Sequence, residues 1–475
     1  MDDGTWLRAE ANDDGPERVV FHVDMDCFYA SCERLREPGL RGEPLVVGMG
    51  YEPGETIGAV ATASYEARAS GVESAMPISE ALDLLPRRVD DGAAAESSGH
   101  YRPVDLDFYK EIAADVKAVL HDCADVVREV SIDEAYLDVT DRTAWSVVDG
   151  GGDGDGDDGD GPAPSTAAGP ADGRTLAEGY ARHVKSRIER EAGVPASVGV
   201  APNMSTAKIA SDADKPDGLV VVPPGTVESF LSPLPTAELH GVGPVTERTL
   251  AELEIETAGD LAAADPDRLE SELGERGREL YDRARGEDDR EVTPTGLPKS
   301  LSRESSLSPT DDEDRKRETV SALAADVARR ARERGCLYRT IGIKVVEPPY
   351  DVNTRARSLP GPVDDPELVE EVALDLLAEF ADARARKLGV RVAKLDFDES
   401  DQATLGGFED ASSSEGRRAI GPDDVAPSPA GDDPETLTAW TETDDSTDAA
   451  DDADPDGRPG SRRDRDGQAS LGDWS

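Results

Sequence analysis

Residues 19–33, VVFHVDMDCFYASCE, constrain the fold more than any other stretch of this chain. A β-branched run at 18–25 reads as a buried strand, yet it ends on Asp24 and Asp26 and passes at once into CFYASCERL, which starts like a helix. A buried strand has no packing reason to finish on carboxylates, so its end must face something charged or polar. Asp26, directly before CFYAS, suits a helix N-cap; Asp24 is left to serve a site.

A second acidic pair, Asp133 and Glu134, sits in SIDEAYLD, at the bend of the hairpin read from DVVREVSIDEAYLDVT. Adjacent strand residues point to opposite faces, so this pair can serve one site only where the chain bends. Three carboxylates gathered at strand ends cannot all ionise side by side without cations. Oxygen-rich ligation suits Mg²⁺, and two such ions stabilise both the attacking and the leaving oxygen of a phosphoryl transfer. The residues alone leave a plainer alternative open, a set of unrelated solvated acids.

Further along, PLVVGMG and GAVATAS read as short strands, followed by the turn signal GVESAMP. DLDFYKEIAADVKAVLHDCA and AEGYARHVKSRIEREAG have helical periodicity, PASVGVAP and LVVVPP read as strands, and MSTAKIASDADKPDG is a helix ending in a turn. This order suggests an α+β sheet with its helices on one face. The segment 149–173 carries seven acids, no base and no apolar residue larger than alanine and proline, so it reads as a flexible insertion. LHGVGPVTERTLAELEI is two helical pieces joined by Gly-Val-Gly, a turn whose backbone N–H groups suit a phosphate. After a polar stretch at 288–299, residues 300–398 read β-α-β-β-α-β, and the acidic, Ser/Pro/Gly-rich remainder reads as disordered.

Charge bears on environment and partners. The chain holds 103 Asp plus Glu against 51 Lys plus Arg, a formal net charge of −52. The insertion and residues 401–475 account for −7 and −14, which leaves −31 on material expected to fold. With 10 lysines against 41 arginines, the balance suits a protein working in concentrated salt, where self-repulsion is screened. Nucleic-acid binding by so acidic a chain must come from local basic positions, or take place where salt has already weakened the long-range field. Cys27, Cys32, Cys123 and Cys336 have neither metal-ligand spacing nor the density of a secreted scaffold. No apolar run approaches the roughly 20 residues of a membrane span, and the acidic start is no signal peptide. A cytoplasmic protein is expected.

HVDMDCFYASCE, GAVATASYEARASGVESAMPISEA, SIDEAYLD, SVGVAPNMSTAKIASDADKPDG and LHGVGPVTERTL, in this order and spacing, resemble a Y-family translesion DNA polymerase of the DNA polymerase IV branch. The resemblance spans roughly residues 18–398. It implies a right-hand polymerase: a ferredoxin-like palm (18–30 and 104–232), small fingers (31–103), a helix-hairpin-helix thumb (233–287), a linker (288–299) and a little finger (300–398). Residues 1–17 and 399–475 would lie outside the folded part. Asp24 and Asp133 would bridge two Mg²⁺ ions, Glu134 would complete the site at the primer 3′-hydroxyl, and the Met25 carbonyl would bind the nucleotide-side ion. Tyr29 matches the ring that excludes a ribose 2′-hydroxyl, with Phe28 beside the sugar. Thr62, Tyr65, Arg68 and Lys215 would hold the incoming deoxynucleoside triphosphate. Taken singly, Tyr65 also reads as a core ring, Arg68 as a surface cation and Lys215 as a turn residue.

Gly241 and Gly243 would offer backbone to a DNA phosphate, and Lys299, Arg303 and Arg391 match positions that touch the primer-template backbone. The palm insertion is a departure, expected to be a solvent loop. QASLGDW near the end (Gln468, Leu471, Trp474) has the form of a sliding-clamp-binding peptide, and QATLGGF (Gln402, Leu405, Phe408) repeats it. The implied activity is low-fidelity translesion synthesis without proofreading, by a monomer. The duplex-binding thumb and little finger argue against a nucleotide cyclase on a similar palm. The carboxylate set argues against a non-catalytic clamp-bound scaffold.

Overall fold

The computed structural model describes residues 17–88, 98–147 and 174–397. They fall into two compact units that part between Thr295 and Gly296.

In the first unit the fully buried β1 (Val20–Met25) runs into α1 (Phe28–Arg36) through Cys27, held at φ 44°. β2 (Leu45–Met49), β3 (Ala59–Ala63) and β4 (His100–Pro103) then build a small sheet in the order β3-β2-β4. The short helices α2 (Tyr65–Arg68) and α3 (Ile78–Leu84) belong to the same segment, and the Ser64 side chain caps α2 by accepting from the Ala67 amide. The chain continues with α4 (Leu106–Cys123), β5 (Val126–Glu129), β6 (Glu134–Asp138), α5 (Leu176–Ala192), β7 (Ala196–Ala201), α6 (Met204–Asp212) and β8 (Leu219–Val221). Asp105, Thr175 and Asn203 cap α4, α5 and α6 through their side-chain oxygens, which fixes where each helix begins.

These strands form a sheet in the order β5-β6-β1-β7-β8, antiparallel except for β7 against β8. The period of two along β1 decides the layers. Phe21, Val23 and Met25 join Tyr109, Val116 and Leu120 of α4 and Ala181, Val184 and Ile188 of α5 in the main core. His22 and Asp24 face the other way, where the His22 ring meets Ser211 of α6. The expectation of helices on one face is therefore corrected: α6 covers the opposite face. Gly199 of β7 makes this possible, because a Cβ there would stand 1.9 Å from the Ala207 carbonyl oxygen of α6.

A helical subdomain follows: α7 (Val227–Leu231), α8 (Pro244–Glu252), α9 (Ala258–Ala263), α10 (Pro266–Leu273) and α11 (Glu275–Ala284). Leu231, Leu250, Leu261, Leu269 and Leu280 share one core with Ile209 and Ala210 of α6. The segment after α11 stays strapped to the first unit. The Asn203 amide donates to the Gly286 carbonyl at 2.9 Å, the Ser205 amide to Asp288 at 2.9 Å, and Arg18 to the Arg290 carbonyl at 2.8 Å.

The second unit runs β9 (Ser300–Thr310), α12 (Glu313–Glu333), β10 (Cys336–Glu347), β11 (Asp351–Val363), α13 (Pro366–Leu377) and β12 (Ala385–Phe397). Its antiparallel sheet has the order β11-β10-β12-β9, and both helices pack on one face through Val320, Val327, Val369, Val372, Ile341 and Val390. The wholly buried Lys316 donates to the carbonyls of Phe380, Ala381 and Ala383, which satisfies its charge. No helix among the described residues is long and apolar enough to cross a membrane.

Candidate active site

The carboxylates meet at one end of the five-stranded sheet. Asp24 of β1 stands directly across from Glu134 of β6, and the Met25 amide donates to the Asp133 carbonyl at 3.0 Å, which places Asp133 at the bend. Glu134 is held by two neighbours: His22 Nε2 at 2.6 Å and Lys208 Nζ at 2.7 Å from Oε1. Asp24 Oδ2 lies 3.0 Å from Lys215 Nζ, which also reaches Asp212 at 2.8 Å. Asp24 Oδ1 is buried and has no hydrogen-bond partner.

Burial and then the charge of Asp24 push the Asp133 carboxyl up to about 7, although Ser131 donates a hydrogen bond to it. Burial likewise raises Asp24, against the pull of Lys215 and His22. Burial would raise Glu134 as well, but His22 and Lys208 hold it well below the usual carboxylate range. Burial works against the charge of Lys215 too, and Asp24 and Asp212 outweigh it. Among the described residues no three His, Cys, Asp or Glu side chains stand close enough to hold one ion as they are. Two of the three carboxylates are instead paired with lysines, Asp24 with Lys215 and Glu134 with Lys208. The strained Asp24–Asp133 pair and the orphaned Asp24 oxygen form a donor set that fits a hard divalent cation.

Tyr29, the second residue of α1, is 3% exposed and stacks on Tyr109 with ring centroids 4.5 Å apart. Its hydroxyl has no hydrogen-bond partner, and burial with the nearby Asp133 charge raises its pKa. Phe28 is wholly enclosed in the main core, its ring centroid 5.9 Å from that of Tyr29. Thr62 is buried on β3, and Arg68 donates to the Ala63 carbonyl while its guanidinium lies 4.9 Å above the Tyr65 ring.

Asp26 is not the helix cap expected from the sequence. Cys27 occupies the N-cap position of α1 and no side chain bonds there. The Asp26 carboxylate instead accepts from the Tyr65 hydroxyl at 3.1 Å, the Ser197 hydroxyl at 2.9 Å and the Asp217 amide at 2.8 Å. A buried carboxylate finds more partners this way than at a helix end.

Gly241 and Gly243 lie at the turn before α8, Gly241 at φ 96° and Gly243 as the N-cap. Arg276 donates to the Gly241 carbonyl at 2.6 Å and Arg283 to the His240 carbonyl at 3.2 Å, so two cations frame the turn. In the second unit Lys299 is exposed just before β9. Arg391 sits opposite Gly342 and Ser302, on the face away from the helices, whereas Arg303 faces α12 with its Nε 3.2 Å from Asp326. Gln402, Leu405, Phe408, Gln468, Leu471 and Trp474 lie outside the described residues, as does the 149–173 insertion.

Two side chains that hold Glu134, His22 and Lys208, were not among the residues expected from the sequence. His22 shares the strand parity of Asp24, which puts it on the same face. Lys208 lies four residues before Asp212 on α6, the same face, and is one of only 10 lysines.

Comparison with known proteins fits this arrangement. The impB/mucB/samB family model matches residues 23–212, the C-terminal domain model of that family matches 298–405, and the thumb-domain model of DNA polymerase-iota matches 237–288. The chain is 60% identical to a DNA polymerase IV of Halobacterium salinarum over 82% of its own length and 88% of the relative. It is 38% identical to a DNA polymerase IV of Methanoculleus marisnigri, covering 98% of that protein. Among solved structures it resembles the Y-family DNA polymerase chimera Dbh-Dpo4(243-245)-Dbh, with TM-score 0.66 and 27% identity over 80% of this chain and 99% of the other. An insertion ternary complex of Dbh DNA polymerase matches with TM-score 0.54 and 26% identity over the same shares. The chain belongs to the Y family of DNA polymerases, on its DNA polymerase IV branch.

Proposed function

We propose that Asp24, Asp133 and Glu134 hold two Mg²⁺ ions and that this site adds deoxynucleotides to a primer end opposite damaged template bases. The protein is a translesion DNA polymerase, acting on DNA and nucleotides and, as its family implies, using a divalent metal. The observation that carries the site assignment is that the backbone sets Asp24, Asp133 and Glu134 side by side at the ends of β1 and β6, Asp24 with a buried oxygen left unpaired. Bound there, the ions would neutralise the carboxylates and stabilise charge on the reacting phosphate. The Met25 carbonyl completes the donor set.

Lys215 and Arg68 pair the oxygens of the triphosphate as cations and Thr62 donates its hydroxyl to them, while Tyr65, whose hydroxyl donates to Asp26, holds the Arg68 guanidinium over its ring. Tyr29 stands beneath the sugar, backed by Phe28 and Tyr109. The Gly241–Gly243 turn, Lys299 and Arg391 carry the primer-template backbone, whereas Arg303 is turned to Asp326 of α12 instead, and QASLGDW, through Gln468, Leu471 and Trp474, docks a sliding clamp. The enzyme works as a cytoplasmic monomer with palm, fingers, thumb and little finger bounded as the resemblance implies.

Asp133→Ala or Glu134→Ala should abolish nucleotide incorporation, by at least about 10³-fold, while primer-template affinity stays near normal. Near-normal primer extension by either variant would sink the two-metal assignment.

A further inference from the structure

We propose that Asp26 is a positioning residue for nucleotide binding, which fastens Tyr65 and the turn carrying Lys215 to the sheet that carries the catalytic carboxylates. The proposal rests on the reading that Lys215, and Arg68 held over the Tyr65 ring, bind the triphosphate. Its basis is a set of hydrogen bonds that tie three separate pieces of chain to one carboxylate. Oδ1 accepts the Tyr65 hydroxyl of α2, and Oδ2 accepts the Asp217 amide, two residues beyond Lys215. The Ser197 hydroxyl of β7 lies 2.9 Å from Oδ1 and 3.1 Å from Oδ2, and it accepts the Gly218 amide at 3.1 Å.

The turn is gripped from its other side as well. Lys185 of α5 donates to the carbonyls of Asp217 and Gly218 and pairs with the Asp217 carboxylate at 3.0 Å. Its backbone amides are thus fixed by Asp26 and Ser197, and its carbonyls by Lys185. Asp217 itself is held at φ 55°, a left-handed conformation that needs such support. A Cβ at Gly218 would meet the Asp214 carbonyl oxygen at 2.2 Å, so the turn also closes tightly on the end of α6. Lys215 is left with its ammonium aimed at Asp24, and its position depends on this turn.

Asp26 is 2% exposed and cannot reach a ligand itself, so it acts only through what it holds. Each carboxylate oxygen faces donors, so an amide in its place cannot accept from Tyr65, Ser197 and the Asp217 amide together: with its carbonyl on the Asp217 amide, its N–H₂ faces the Tyr65 hydroxyl, which must stop donating there, and the charged acceptor is lost. The hold on the two phosphate-binding elements is then weakened. Loose phosphate contacts weaken ground-state nucleotide binding more than they slow chemistry on a bound nucleotide.

The test is steady-state single-nucleotide insertion on a primer-template by the full chain. Asp26→Asn should raise KM for the nucleotide about tenfold, lower kcat by less than about threefold, and leave primer-template affinity unchanged. Ser197→Ala, which removes one donor without touching a charge, should give the same split with a smaller rise. In the Asp26→Asn background Tyr65→Phe should cost less than in the wild type, because the hydroxyl has already lost its charged acceptor. A KM unchanged in both Asp26→Asn and Ser197→Ala overturns the proposal, as does a parallel fall of kcat, DNA affinity and melting temperature. Should Asp26→Asn fail to fold, Ser197→Ala alone decides. Lys215→Ala separates the two levels: an unmoved KM there overturns the nucleotide reading, while a raised KM beside a normal Asp26→Asn overturns only the positioning role.

Discussion

Tyr29 is the residue at which packing meets the proposed selection of the sugar. Its ring is locked against Tyr109, whose hydroxyl is in turn tied to Glu33 at 2.8 Å, so the wall it forms is rigid. A ribonucleotide differs from its deoxy counterpart by one hydroxyl, and a rigid wall at the sugar turns that difference into a clash. Tyr29→Ala should therefore raise ribonucleotide incorporation relative to deoxynucleotide on the order of 10²-fold, about 2.7 kcal/mol of discrimination. Truncating so buried a ring also costs about 3 kcal/mol of stability. The ratio of kcat/KM for a matched ribo- and deoxyribonucleotide pair cancels the folded fraction, and an unchanged ratio means Tyr29 is no gate. At this scale the sequence was legible where chemistry is local. Asp24, Asp133 and Glu134 stand at strand ends, as an apolar run broken by acids implies. The role of Asp26 was not legible, because its partners lie 39, 171 and 191 residues away and a helix cap was the nearer reading.

Among elements, α6 brings together what the strands alone cannot. It carries Lys208 to Glu134 and Ser211 to His22, and it leads into the turn that holds Lys215. Periodicity revealed the helix but not the side of the sheet it covers, since an amphipathic stripe does not say which surface it meets. Gly199 decides that. Its absent Cβ lets the backbone of α6 lie on β7, with the Ala207 carbonyl 1.9 Å and the Ser211 amide 2.4 Å from where that atom would stand. Gly199→Ala should then cost about 3 kcal/mol or more by forcing helix and strand apart, with activity falling as Lys208 and Lys215 move. Gly179→Ala in α5 is the control: a Cβ there meets nothing within 4 Å, so a better helix former should leave stability equal or raise it by about 0.5–1 kcal/mol. Urea unfolding of both variants checks the contrast, and equal midpoints would show that α6 does not depend on the glycine.

For the whole molecule the governing quantity is charge. At −52 the chain repels itself, and in dilute buffer acids spread over its surface would push one another apart. The few lysines are spent where a compact cation is needed: Lys208 and Lys215 at the carboxylates, Lys185 on the turn, Lys316 in the second core, Lys117 on Glu129. Arginines take the surface pairs with acids, such as Arg102 with Glu37 and Arg355 with Glu379, which are exposed and individually weak. Screening by salt therefore removes more repulsion between unpaired acids than attraction within pairs. The Debye length shrinks from about 10 Å at 0.1 M to about 3 Å at 1 M, less than the spacing of most surface charges. Melting followed by circular dichroism should thus show a midpoint higher in 2 M than in 0.1 M KCl. The buried contacts around Asp24 and Glu134, poorly reached by ions, should hold in both. Greater stability in dilute salt would mean that the surface pairs outweigh the repulsion, and the acidic composition would then need another explanation.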